Sequence, residues 1–195
     1  MRRLPPPVLL VGMLFMATPP PASAQASAGE VSAGWRLLHV EDETFSAGWY
    51  ADALGNITDS FGVVGEVAGH YKSVDESESF GGVQVNVSAD LRIHTFMGGV
   101  RFSWRRNPRI TPFAQVLIGL AHGSAEVEGR STIGNQTFTV DESESSSDFG
   151  ADIGGGVNIR ATDRINVRVA GSYFRIVEDD ASNAFRFAAG LVFPF

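Results

Sequence analysis

The residues of this chain that could do chemistry are few and scattered. The tripeptide His122-Gly123-Ser124 sets an imidazole and a hydroxyl two residues apart, and Glu126 and Glu128 follow it. A histidine beside a serine can act as the general base that activates a nucleophile. The pattern ends there, because the sequence contains no recognisable set of donors for an oxyanion. We therefore expect no catalytic residues and predict that the protein is not an enzyme.

The remaining candidate ligands do not suggest a metal or cofactor site. The four histidines stand far apart, without the spacing of a zinc site. The acidic run Val74–Ser79 recurs as Val140–Ser145, but neither copy has the glycine and the distant glutamate of an EF-hand loop. No resident metal and no cofactor are expected, and weak surface binding of divalent cations is the alternative for the acidic runs. The absence of cysteine excludes thiol catalysis.

A second group of charged residues lies on strand-like segments, on the face that carries small and polar side chains. A buried charge without a partner costs several kcal/mol, so charges that share an interior must pair. The interpretation that we favour is a structural network that fills an interior, and the alternative is a gated polar path for a small solute. The predicted members of this network are Glu66, Arg101, Asp152, Arg168 and Arg186.

The elements that position these residues are short strands. Apolar residues recur at every second position, and no stretch keeps a helical period for three turns. The clearest run is Phe149 to Arg160, and the least regular are Gly34–Val40 and Ala47–Leu54. The alternation is unclear before Phe96, which is typical of a bulge. Eight antiparallel strands are predicted in all.

The connections between these strands differ in length in a regular way. The segments 55–60, 105–110 and 161–164 are short, whereas 73–87 and 123–147 are long and rich in Ser, Glu and Gly. With eight strands, all the longer connections fall at one end, and both termini fall with the short turns at the other. This asymmetry is typical of an outer-membrane β-barrel.

The chain is predicted to have three parts: a secretory signal peptide, 1–24, a linker, 25–33, and a barrel domain, 34–195. The signal has two arginines near its start, the apolar run Val8–Ala17, and the small residues Ala22-Ser23-Ala24 before the cleavage point. A run of about ten apolar residues is too short to span a bilayer, which needs roughly 20. With 44% hydrophobic residues the chain is also too apolar for disorder.

Alternation alone does not tell which face of the barrel is inside. A soluble lipocalin-like barrel that binds an apolar ligand would have its apolar face inside, and this is the alternative to an outer-membrane barrel. Two features favour the membrane. The polar face is rich in Gly, Ala and Ser, which suit a narrow interior. Aromatic residues stand near strand ends, as at a bilayer interface: Trp35, Trp49, Phe61, Tyr71, Phe102, Trp104, Tyr173, Phe193 and Phe195.

The end of the chain resembles the assembly signal of bacterial outer-membrane barrels, with Gly190 before Phe193 and the terminal Phe195. The mature chain as a whole resembles the small eight-stranded outer-membrane β-barrel domain family, the OmpA/OmpX-like class. The segments 111–115 and 154–157 are similar to a branch of that family of unknown function. The resemblance implies an all-β, up-and-down transmembrane barrel in the bacterial outer membrane. The pair His122 and Ser124 is similar to the His-x-Ser of outer-membrane lipid A deacylases, but the similarity stops at two residues.

The predicted function is structural, or an interaction at the cell surface, without catalysis. Expected partners are outer-membrane lipid, lipopolysaccharide and the outer-membrane assembly machinery, and a monomer is expected. Cleavage of the signal would remove two arginines and take the net charge from −7 to −9, which argues against nucleic acid. A basic short turn, Arg105–Arg109, and acidic long connections predict that the acidic end faces outward. The acidic residues are Asp75, Glu76, Glu78, Asp141, Glu142, Glu144, Glu178, Asp179 and Asp180.

Overall fold

The computed structural model describes residues 27–40, 43–80, 83–133, 136–176 and 183–195. The predicted signal peptide lies outside these ranges and stays a prediction, as do the positions of the acidic residues of the last connection. In the described part of the chain, no helix has the length and apolar character needed to cross a membrane.

In the described residues, nine strands form one closed antiparallel sheet, in which the last strand pairs with the first. A single residue, Ser46, separates the short second strand from the third, and both pair with the first strand, so together they occupy one strand position of the barrel. The barrel is therefore eight-stranded, which confirms the predicted fold class. The strands are β1 (Gly29–Val40), β2 (Glu43–Phe45), β3 (Ala47–Asn56), β4 (Phe61–Phe80), β5 (Val83–Ser103), β6 (Ile110–Ile133), β7 (Gln136–Arg160), β8 (Asn166–Ile176) and β9 (Asn183–Pro194).

The two ends of the barrel differ in how far the strands extend beyond the wall. At one end, called here the short-turn end, the strands are joined by residues 57–60, 104–109 and 161–165. The chain ends meet there too, because the amide of Gly29 donates to the carbonyl of Phe195 at 3.1 Å. The opposite end, called the long-hairpin end, carries the connections β4–β5 and β6–β7.

The prediction that 73–87 and 123–147 are loops is wrong. β4 and β5 stay paired as far as Phe80 and Val83, and β6 and β7 as far as Ile133 and Gln136. Both acidic repeats therefore lie on strands. The error came from reading Ser- and Glu-rich sequence as a loop, whereas these residues occupy strand positions. Those whose side chains the structure describes, such as Asp75, Glu142 and Glu144, are exposed.

Beyond the barrel wall these four strands continue as a sheet. β3 pairs with β4 no farther than Tyr71, and β7 pairs with β8 only from Gly150 onward. We call the mutually paired segments 72–80, 83–91, 125–133 and 136–144 the protruding sheet. Each contributes nine residues, a length of roughly 30 Å at about 3.3 Å per residue.

Two other details differ from the sequence-based prediction. The register of β4 with β5 is unbroken from Phe61↔Phe102 to Phe80↔Val83, so there is no bulge near Phe96 in this pair. β1 begins at Gly29, five residues before the predicted start of the first strand, inside the segment assigned to a linker.

The outer face of the barrel is an exposed apolar band, so the alternative of a soluble barrel with its apolar face inside is wrong. Along β5 and the residue that follows it, the band extends from the level of His94 to Trp104. Ten residues at about 3.3 Å each, tilted by about 40°, cover roughly 25 Å along the membrane normal, the height of an outer-membrane barrel's apolar band. Aromatic rings mark both edges: Tyr71 contacts His94 near one, and Phe61 contacts Phe102 near the other.

Candidate functional site

The interior of the barrel holds an equal number of buried acids and arginines among the described residues. Four carboxylates and four guanidinium groups are nearly inaccessible to solvent. Such a balance is expected, because a buried charge of either sign is stable only beside an opposite one. The eight residues are Glu30, Asp52, Glu66, Asp152, Arg36, Arg101, Arg168 and Arg186.

Four of these residues form a cluster near the short-turn end, called here the lower cluster. Arg101 contacts Glu30 at 2.9 Å and Asp52 at 3.0 Å. Arg168 contacts the same two carboxylates, Glu30 at 2.5 Å and Asp52 at 2.7 Å. Each carboxylate is thus shared by two guanidinium groups. The ring of Phe113 lies 4.9 Å from each guanidinium, which adds a cation–π contact to both.

Neutral side chains complete the hydrogen bonding of the lower cluster. The Nε of Arg101 donates to Gln115 at 2.9 Å, and the Nε of Arg168 donates to Asn158 at 2.8 Å. Arg168 also donates to the hydroxyl of Ser32 at 2.9 Å. A buried ion pair is stable only when its other donors and acceptors are also satisfied, and here the arginines meet that condition.

The other four residues form an upper cluster, farther toward the long-hairpin end. Arg36 holds Glu66 with two parallel bonds of 2.5 and 2.6 Å, the bidentate geometry that strengthens such pairs. Arg186 contacts Asp152 at the longer distance of 3.4 Å, and Asp152 also accepts a bond from Ser172 at 2.8 Å. Protein atoms satisfy this cluster less completely, since the Nε and Nη2 of Arg186 have no protein partner among the described residues.

The five residues predicted to form one network are all buried, but they belong to two clusters. Arg101 and Arg168 lie in the lower cluster, and Glu66, Asp152 and Arg186 lie in the upper one. Sequence reasoning missed Glu30, Arg36 and Asp52, their direct partners. The charge count of the predicted set indicated that it was incomplete, because two acids and three arginines cannot share an interior without a further acid.

Polar groups alone do not fill the interior, which corrects the expectation of a wholly polar lumen. Beside the two clusters, a continuous group of buried apolar side chains also fills the interior. The ring of Phe174 also stacks on Arg186, with its centroid 3.6 Å from the guanidinium carbon. The buried members are Leu38, Phe45, Leu54, Val64, Met97, Leu117, Ala121, Phe174 and Ala184.

The candidate hydrolase motif does not assemble into a catalytic arrangement. Nδ1 of His122 lies 2.8 Å from the hydroxyl of Ser147, a residue of the next strand, and not from Ser124. Glu126 is paired instead with Arg92, at 3.2 Å. The described residues also include no group of three or more His, Cys, Asp or Glu able to hold a metal ion.

In the protruding sheet the polar and apolar faces are exchanged relative to the barrel wall. Its outer face continues the lipid face of the wall but is polar, with Asp75, Ser88 and Glu128 in neighbouring positions across the strands. Its inner face continues the interior and is largely apolar on β5 and β6, with Val87 and Val127.

Gly190 and Phe193 of the predicted assembly signal lie on β9, the strand that closes the barrel, and Phe195 follows its last residue. Phe193 and Phe195 project outward at the short-turn end and are exposed. Gly190 faces Gly34 across the β1–β9 seam, and a Cβ on Gly190 would come within 2.6 Å of the Tyr50 hydroxyl. A glycine is therefore required here for packing, whatever the assembly machinery reads.

Comparison with known proteins agrees with this architecture. The family model "Outer membrane protein beta-barrel domain" matches residues 8–193. The attachment invasion locus protein Ail of Yersinia pestis superposes with a TM-score of 0.54 at 22% identity, over 85% of this chain and 99% of that one. Neisserial surface protein A superposes with a TM-score of 0.54 at 11% identity, over 87% and 99%. No curated protein matches the sequence.

The match covers nearly the whole chain, and the chain therefore belongs to the outer membrane protein β-barrel domain family. Its location is the bacterial outer membrane. The similarity to Ail and to Neisserial surface protein A, at these identities, is a similarity of fold.

Proposed function

We propose that the protein is a non-enzymatic barrel that binds a partner at the cell surface through its protruding sheet. The observation that carries the proposal is the continuation of four strands for nine residues beyond the wall. Among the described residues, the segments 72–80 and 136–144 each pair on one side only. Unpaired strand edges present backbone groups that readily bind another chain.

We further propose that the long-hairpin end faces outward. Both chain ends and the short turns share the other end, which in this class of barrel faces the periplasm. The apolar band would then contact lipid and lipopolysaccharide, and the assembly machinery would read β9 with its terminal Phe195. The interior supports a structural role, because its paired charges and apolar side chains leave little room for a solute path.

The charge of the protruding sheet limits the kind of partner. Ail was solved with the heparin analogue sucrose octasulfate, a polyanion. In this chain Asp75, Asp90 and Glu128 lie on the outer face of the sheet, and they would repel such a ligand. A partner of neutral or positive charge is favoured.

Protease treatment of intact cells tests the proposal. Cleavage is expected within 123–147, while the turn 105–109 stays intact, and the protein should fractionate with the outer membrane and shift on unboiled gels. Cleavage at 105–109 with the long hairpins protected would overturn the orientation, and with it the surface role.

A further inference from the structure

The inner face of the protruding sheet combines an apolar strip with a line of carboxylates. The strip lies on β5 and β6, and the carboxylates of Glu142 and Glu144 stand beside it on β7. Lys72, also on the inner face, is paired with Glu43 and does not cancel this charge. Three successive cross-strand rows on this face are Leu91–Ala125–Glu144, Ala89–Val127–Glu142 and Val87–Gly129–Val140.

The strip begins in a cavity at the mouth of the barrel. This cavity has a volume of about 560 Å³, and its lining includes the apolar side chains of Phe45, Leu91 and Ile93. Two charged residues also line it: Glu144, and Arg92, whose charge is paired with Glu126. Leu91 and Ile93 also pack on the buried apolar group below, so the floor is continuous with the interior. A volume of this size takes the large side chains with which a binding partner is anchored.

From this arrangement we infer that the inner face of the protruding sheet binds a basic amphipathic helix. The inference rests on the proposed function, because it names the partner of the same sheet. Two neighbouring strands make a strip about 10 Å wide, the diameter of a helix with its side chains. Glu142 and Glu144 are about 7 Å apart along β7, close to the roughly 6 Å between residues i and i+4 of a helix.

Charge complementarity selects a basic helix over other occupants. The carboxylates beside the strip would pair with lysine or arginine at the edge of the helix's apolar face. The outer-face acids Asp75, Asp90 and Glu128 add a field of the same sign, which steers a cationic partner toward the sheet. The chain's own connection 177–182 contains Glu178, Asp179 and Asp180, so like charge disfavours it as the occupant.

Peptide binding to the mature chain in nanodiscs of phosphatidylcholine tests the inference. The probe is a labelled amphipathic Leu/Lys peptide of about five helical turns, roughly 27 Å long and thus matched to the sheet. Two comparison peptides have the same pattern with Glu for Lys, or the same composition in scrambled order. Fluorescence anisotropy, corrected for empty nanodiscs, should show binding of the basic amphipathic peptide alone. Equal binding of either comparison peptide, or no binding, would overturn the inference.

Variants on the two faces of the sheet separate a groove from a diffuse acidic surface. The double change Glu142→Gln and Glu144→Gln should weaken binding about three- to tenfold. Val127→Asn should weaken it by about tenfold, through loss of apolar contact. The matched control, Asp75→Asn with Glu128→Gln, removes two charges from the outer face and should change affinity less than about twofold. If this control weakens binding as much as the inner-face double change, no groove exists.

Further controls distinguish loss of the proposed site from misfolding, from binding of a neutral ligand and from a wrong orientation. Each variant is first checked for its folded mobility on unboiled gels, and Val127 lies far enough from the wall for the barrel to fold without it. Binding that depends on Val127 but not on Glu142 and Glu144 would indicate a neutral apolar ligand and overturn the basic helix. The nanodisc exposes both ends of the barrel, so this assay is independent of orientation, whereas the protease experiment tests orientation alone.

Discussion

The barrel wall and the protruding sheet share four strands, yet their apolar side chains lie on opposite faces. On β5, even-numbered residues point outward throughout: Phe96 and Val100 in the wall, Ser88 and Asp90 in the sheet. The backbone does not change phase, and only the residue types do. The change falls near His94 and His122, which are paired across β5 and β6. Lipid outside the wall and water outside the sheet account for the difference.

The two regions also differ in what their ion pairs contribute. In the wall, Arg101 and Arg168 are enclosed on all sides and share two carboxylates. In the sheet region, Arg92 and Glu126 form a single pair with both side chains about half exposed. Removing one partner of a buried pair leaves an uncompensated charge, whereas an exposed pair contributes little. The wall should therefore be sensitive to charge changes and the sheet tolerant of them.

The largest effect is expected where the wall closes. Deleting Phe195, or changing it to Asp, should remove most of the protein from the outer membrane. Phe195 ends the predicted assembly signal and exchanges backbone hydrogen bonds of 3.0 and 3.1 Å with Gly29. The amount of heat-modifiable protein in the outer-membrane fraction measures this. Phe195→Tyr serves as the control and should assemble. Normal levels of the truncated chain would show that the terminal aromatic is dispensable.

The lower cluster gives the next largest effect. Asp52→Asn leaves Arg101 and Arg168 with Glu30 alone, so a buried positive charge remains, at a cost of about 3–5 kcal/mol. Urea unfolding in lipid vesicles measures the loss. Glu126→Gln, which breaks the exposed pair, should cost less than about 1 kcal/mol. Similar losses for the two variants would remove the distinction between wall and sheet.

The sequence predicted the strands of the barrel wall but not those of the protruding sheet. Alternation in runs such as Phe149–Arg160 predicted both the strands and their lipid face, because a hydrophobic exterior and a polar interior repeat with period two. The same period holds in 123–147, but there the outward residues are Ser and Glu, as in a loop. Composition cannot distinguish a solvated strand from a solvated loop. The pairing with the next strand does, and that is a long-range property.

The interior shows a similar limit. The phase of the alternation assigned Glu66, Arg101 and Arg168 to the inside of the barrel. It could not predict which charges pair across the interior, because the partners are distant in sequence. Glu30 is 71 residues from Arg101 and 138 residues from Arg168. Glu30 was missed because it precedes the first regular run of alternation. The division into two clusters depends on the stagger of the strands, which the sequence does not show.

A charge placed on the lipid face of the barrel wall is expected to have an intermediate effect on stability. Val169 is outward-facing, 51% exposed, and lies on β8 between the outward-facing Val167 and Tyr173, so Val169→Arg should cost about 2–4 kcal/mol. Val167→Arg lies two residues nearer the short-turn end and should cost less, because an arginine there can reach the interface. Folding measurements in vesicles give both values. A reversed order would mean that the bilayer centre lies closer to the short turns.

The smallest effect is expected when an arginine is placed on the outer face of the protruding sheet, beyond the barrel wall. Ser88 lies on the outer face of the protruding sheet, directly across from Asp75 on β4 and Glu128 on β6. Ser88→Arg would place a cation between two carboxylates in water, where a cross-strand pair contributes about 0.2–1 kcal/mol. We expect unchanged or slightly increased stability in the vesicle assay. A loss as large as that of Val169→Arg would mean that lipid reaches this level and that the sheet does not protrude. A neutral result for Ser88→Arg beside a costly Val169→Arg would instead locate the water boundary between them, at the level where the outward residues change from apolar to polar.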